Sequence, residues 1–148
     1  MELDISWTLV LTNLYHLGVA YIFALPLALD RERSARGAGL RTFPLVAVAA
    51  CGYTLVGISV LDSTDAEARV LQGLITGIGF IGGGAILKSN GTVHGTATAA
   101  TIWITGLIGI AAAFNRLEVA GLMSVLSFVT LRYVRKLKSD ESNESGKD

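Results

Sequence analysis

The residues of this chain best equipped for chemistry stand together between positions 30 and 42. Asp30, Arg31, Glu32, Arg33, Arg41 and Thr42 bring carboxylates, guanidinium groups and a hydroxyl into one short stretch. Carboxylates set among arginines are neutralised rather than poised for acid–base work, so the cluster suits a salt-bridged plug or an anion contact better than catalysis. A turn at Gly37 and Gly39 would bring Arg41 and Thr42 back against Asp30 and Glu32, closing one end of a helix cluster or docking a partner. The plainer account of the same residues is topology determination with headgroup contact, each cation near anionic lipid being attracted by about 1 kcal/mol.

Other chemistry is thin. His16 and His94 lie far apart, and no Ser-His-Asp or Cys-His arrangement accompanies them. His16, inside an apolar run, is read as a histidine bonded to a neighbouring helix, with a proton relay as the sharper alternative. Cys51 is the only cysteine, which excludes an internal disulfide and a cysteine-based metal cluster within one chain. Gly77, Gly79 and Gly82 match a G-x-G-x-x-G fingerprint by letter, but a dinucleotide site needs an acidic residue about 20 positions on, and the next acid is Glu118. Hard cations need several oxygen ligands, usually with a carboxylate, whereas the apolar runs offer only backbone carbonyls and the hydroxyls of Thr76, Thr98, Thr101 and Thr105. No catalytic residue, metal ligand or cofactor is assigned, and the chain is not expected to be an enzyme.

The elements that must carry these residues are read as five transmembrane helices in an all-α polytopic bundle. Hydrophobic residues make up 51% of the chain and the charges, summing to a formal +0, fall in blocks rather than a mixture. That pattern points to a bilayer and away from nucleic acid. The spans are placed at about 7–29, 43–61, 70–87, 97–114 and 119–134, with a disordered tail over 139–148. Trp7 to Leu29 gives 23 residues without a charge, enough to cross about 30 Å of hydrocarbon. The opening Glu2 and Asp4 do not resemble a cleaved leader, so this span is expected to be retained. Ala20, Ala24 and Ala28 form a small-residue stripe within it, and Pro26 is expected to kink its last turn. Asp30 to Thr42 is expected to be a loop, with Thr42 capping the next helix and Pro44 in its first turn. Asp62 to Arg69 is expected to be an acidic connector, and Asn90-Gly91 a turn.

The third span is expected to be the centre of the bundle. Gly73, Gly77, Gly79, Gly82 and Gly83 would make it a smooth rod, and Thr98, Thr101, Thr105, Gly109 and Ala113 of the fourth span repeat at helical spacing as the face that lies along those glycines. Arg132 interrupts the end of the fifth span, so either it snorkels to the headgroups or the apolar part is only the 13 residues Val119 to Leu131. Lysine and arginine set the orientation: Arg31, Arg33, Arg36, Arg41, Lys88, Arg132, Arg135, Lys136, Lys138 and Lys147 fall on one side and only Arg69 and Arg116 on the other. The N-terminus is therefore expected outside and the C-terminus in the cytoplasm.

Three blocks, taken in order, resemble one family. LDRERSARGAGLRT over Leu29 to Thr42, ITGIGFIGGGAIL over Ile75 to Leu87 and HGTATAATIW over His94 to Trp103 are similar to segments of the MgtC/SapB family of bacterial inner-membrane proteins. His94, Thr96 and Ala97 depart from the residues usual there. The resemblance implies a multi-pass inner-membrane protein linked to magnesium limitation, to survival inside host cells in pathogenic members, and to modulation of membrane ATPases. Longer members carry a cytoplasmic C-terminal domain, and this chain resembles a short form without one. The expected function is thus a non-enzymatic regulatory or accessory protein acting by helix contacts on a partner membrane protein, a membrane ATPase by resemblance, or on a second copy of itself. The alternative is an ion transporter or channel, with magnesium as the candidate ion.

Overall fold

The computed structural model describes residues 6–34, 39–89 and 91–144. It is a bundle of five helices with one small hairpin: α1 (Trp7–Ser34), α2 (Thr42–Val60), α3 (Thr64–Gly84), β1 (Leu87–Ser89), β2 (Thr92–His94), α4 (Thr96–Ala113) and α5 (Leu117–Glu144). Among the described residues, three helices are long and apolar enough to cross a membrane: α1 over Trp7–Glu32, α2 and α4.

The bundle is small inside and large outside. Ala20, Ala24, Ala47, Cys51, Ala112 and Ala113 form one buried cluster, and Leu27, Ala28, Phe43, Ala50, Ile78, Ile102 and Ile108 belong to the other. Trp7, Leu45, Tyr53, Phe80 and Leu122 point outward. Helices in lipid gain nothing by hiding leucine from lipid, so they associate through small residues that let backbones approach. The Ala20–Ala24–Ala28 stripe meets that expectation, each residue being fully buried. His16 Nδ1 donates to the Ala112 carbonyl of α4 at 2.8 Å, the interhelix bond expected of it. Ser124 of α5 donates to the Phe23 carbonyl of α1 at 2.7 Å.

The centre of the bundle is α4, not α3. Its buried residues run along nearly its whole length, and α1, α2, α3 and α5 all pack on it. A Cβ on Gly109 would run into the Ala47 carbonyl oxygen and Ala50 Cβ of α2, and one on Gly106 into the Ile78 side chain of α3. The small face of α4 therefore meets α2 and α1 as well as α3, which corrects the expectation that it lies along the third helix's glycines. In this chain Gly73, Gly77 and Gly83 have nothing within 4 Å of the position a Cβ would take. Spacing shows that glycines share a face, and the neighbour is decided by how the helices lean.

That lean is diagonal. Near its start α3 touches α2, where a Cβ on Gly57 would lie 3.3 Å from Val70 Cγ1. Near its end it touches α4, where a Cβ on Gly82 would lie 3.2 Å from the Ala99 carbonyl oxygen.

Element ends depart from expectation for local reasons. The stretch read as an acidic connector is the first turn and a half of α3: Ser63 Oγ accepts from the Ala66 N–H at 3.3 Å, and Asp65 and Glu67 sit where the helix dipole favours acids. α3 stops at Gly84 rather than 87, because Leu87 pairs with His94, Lys88 with Val93 and Ser89 with Thr92 in an antiparallel hairpin. Gly91, at φ 78, supplies its left-handed loop position, while Asn90 of the turn signal lies outside the described residues. Pro26 stands inside an uninterrupted α1. Pro44 lies in the first turn of α2 as expected, but Arg41 rather than Thr42 occupies the cap position, with helical angles and no side-chain cap bond.

Between α4 and α5, Asn115 takes φ 55, the Arg116 N–H reaches the Ala111 carbonyl at 2.8 Å and the Asn115 N–H reaches that of Ala112 at 3.0 Å. This is a Schellman stop with asparagine in glycine's usual place. Arg116 beside the exposed Glu118 holds that carboxyl below its ordinary range. α5 continues to Glu144, past the point where the absence of apolar residues suggests the chain leaves helix; lysine, arginine and glutamate are adequate helix formers without burial. Arg132 lies over the Phe128 ring at 5.9 Å, its stem along the helix surface.

Candidate functional site

The charged cluster is built by a helix that does not stop where its apolar residues do. α1 continues through Asp30, Arg31, Glu32 and Arg33 to Ser34, so the stretch expected to be loop begins as helix. Asp30 and Arg31 are turned inward, with side chains only 2% and 10% exposed, and Arg31 Nη2 stands 3.7 Å from Asp30 Oδ2. That separation is an ion pair rather than a hydrogen bond. A lone buried charge costs several kcal/mol, so each of these two makes the other's burial tolerable.

Glu32 ties the return of the chain. Its Oε2 accepts from the Leu40 N–H at 3.1 Å, and the loop comes so close that a Cβ on Gly39 would collide with that same oxygen. Gly39 in turn accepts from the Phe43 N–H at 3.2 Å, starting α2. A side chain at 39 would thus displace the Glu32 carboxylate from its bond to Leu40. The side chain of Arg33, and residues 35–38 with Arg36 and Gly37 of the expected turn, lie outside the described residues.

The expected plug is split in two. Asp30, Arg31 and Glu32 gather at the end of α1, whereas Arg41 and Thr42 line a groove between α2 and α3. Arg41 is exposed, and among the described residues no carboxylate forms an ion pair with it. What the α1 end can do is hold a neutralised charge pair below a main-chain clasp. What the α2 end can do is present a free cation and a hydroxyl beside an apolar wall.

Of the expected packing residues, Gly82 meets Ala99, and a Cβ on Gly79 would lie 3.9 Å from the Trp103 indole nitrogen, an ordinary contact. Gly73 and Gly77 line the groove instead of touching a helix. Thr98, Thr101 and Thr105 are buried. Thr101 donates to the Ala97 carbonyl at 2.6 Å and Thr105 to that of Thr101 at 2.7 Å. The glycines that seat other helices most tightly, Gly106 and Gly109, were readable only as small residues. Gly95, at φ 86 and with its missing Cβ directed at the Ala85 carbonyl oxygen, starts α4 in a conformation only glycine takes freely. No group of histidine, cysteine, aspartate and glutamate able to hold a metal ion is present among the described residues.

Comparison with known proteins places this geometry in a family. The MgtC family profile matches residues 17–140, which takes in α1 from its third turn through most of α5. SapB of Bacillus subtilis is 32% identical over 152 aligned positions, covering 95% of this chain and 66% of SapB. MgtC of Brucella abortus strain 2308 is 31% identical over 118 positions, 80% of this chain and 49% of that protein. YhiD of Escherichia coli K12, named as a candidate magnesium transporter, is 30% identical over 118 positions, 75% of this chain and 55% of YhiD. The chain spans about half to two thirds of the length of these relatives. No solved structure matches it. With the profile covering the bundle and its charged α1 end, the chain belongs to the MgtC family.

Proposed function

We propose that this protein is a non-enzymatic regulatory or accessory protein of the bacterial inner membrane, acting by helix contacts on a partner membrane protein. In this reading all five helices cross the bilayer, the N-terminus is outside, and the Asp30–Arg31 end of α1 lies at the cytoplasmic edge with the lysine- and arginine-rich residues. The family resemblance supplies the context, magnesium limitation and a membrane ATPase as the partner.

The observation that carries the reading is the way the interior spends its oxygen. Thr54, Thr101 and Thr105 each donate to a carbonyl of their own helix, Ser124 donates to α1, and Thr76 on the outside donates to Gln72. Of the hydroxyls expected to be available for an ion path, Thr76, Thr101 and Thr105 are turned onto the backbone, and the core around them is filled largely by alanine, isoleucine and other apolar side chains.

A transport role is the second reading, favoured by one feature. Asp30 is a buried carboxylate at one edge of the bundle, the ligand type a hard cation requires, and YhiD is named for magnesium. Two measurements separate the readings. In proteoliposomes with a magnesium gradient the purified protein should give no saturable flux, and crosslinking from Phe80 and Leu122 in native membranes should join it to an ATPase subunit. Saturable flux that disappears in Asp30→Asn would replace the regulatory reading with the transporter.

A further inference from the structure

The diagonal lean of α3 leaves a groove of about 880 Å³ between it and α2. Leu45, Ala49 and Tyr53 form one wall, Gly73, Gly77 and Ile81 the other, and Arg41 and Thr42 stand at one end. Toward its other end the helices converge at the Gly57–Val70 contact. The groove is therefore apolar along its length and cationic at a single end.

Its length is informative. Arg41 to Tyr53 is twelve residues of rise, roughly 18 Å along α2. A bilayer's hydrocarbon core is about 30 Å thick, so the groove runs about as deep as one leaflet. A lipid acyl chain spans one leaflet, so it matches the groove in length. Among the described residues no carboxylate forms an ion pair with Arg41.

From this geometry we propose that the groove is a binding site for one anionic phospholipid, an acyl chain lying between α2 and α3 with its phosphate against Arg41 and Thr42. The apolar walls select the chain, and the exposed Arg41 cation selects the charge of the headgroup. Gly73 and Gly77 are then required as bare wall, because any side chain there would occupy the volume the chain takes. This goes beyond the regulatory reading and does not depend on it.

The test is native mass spectrometry of the full chain released from vesicles of equal phosphatidylglycerol and phosphatidylcholine. The wild type should retain one phosphatidylglycerol in preference to phosphatidylcholine. Arg41→Gln should lower that preference about fivefold, the equivalent of one cation near an anionic headgroup, and Arg41→Lys should keep most of it. Gly77→Leu should lose the retained lipid. Because nothing lies within 4 Å of that position, the variant should keep its helical circular dichroism and thermal midpoint. Equal retention of the two lipids, or the same lipid count in Gly77→Leu, would overturn the assignment. So would a dimer of the chain that Gly77→Leu dissociates, which would give the groove to a second copy.

Discussion

In α3, Gly73, Gly77 and Gly83 face open space, whereas in α4 Gly106 and Gly109 are occupied by the Ile78 side chain and the Ala47 backbone. Both helices are rich in small residues, and composition alone would rank α3 as the better packing surface. The difference lies in the partners. α4 sits among neighbours on several sides, so each missing side chain there becomes a helix–helix contact. α3 crosses from α2 to α4, and along the middle of its outer face its missing side chains become empty volume. A glycine in a membrane helix is thus a permission for close approach, and the packing decides whether anything accepts it.

Substitution can break or sharpen this contrast. Gly109→Ala should have the largest effect, since the new methyl meets main-chain atoms of α2 that cannot rotate away. Overpacking of that kind costs about 1–3 kcal/mol, read as a lower thermal midpoint in detergent. Gly106→Ala should cost less, about 1 kcal/mol, because what it meets is the far end of Ile78, which has other rotamers. Gly83→Ala should cost nothing and gain up to about 1 kcal/mol of helix preference. A loss at Gly83 as large as that at Gly109 would mean that another chain covers the α3 face, and the contrast would fail.

Much of this architecture was legible before any coordinates. Five apolar runs became five helices, the Ala20–Ala24–Ala28 stripe is buried and His16 reaches a neighbouring helix. At the charged helix ends the departures share a cause, which is treating charge as a stop signal. Asp30 to Ser34 and Thr64 to Arg69 are charged, yet both are helical, the second begun by the Ser63 cap. That cap, followed by acids in the first turn, is itself a helix-start pattern, and the expectation of a connector passed over it. The hairpin was signalled only by its turn, since strands of three residues are too short for periodicity to register. At the charged end, sequence order brought six residues together that the start of α2 divides between two faces. Whether Arg41 turns toward Glu32 or toward α3 depends on the angle at which α2 leaves the loop.

The hairpin carries a practical consequence. Leu87 to Ser89 and Thr92 to His94 are exposed at every position, and the loop between them is two residues long. Gly95, at φ 86, separates the second strand from the first turn of α4 in sequence. A fluorophore or short epitope grafted at the tip would leave the helices undisturbed and would declare, by which aqueous compartment can reach it, the sidedness of the whole molecule.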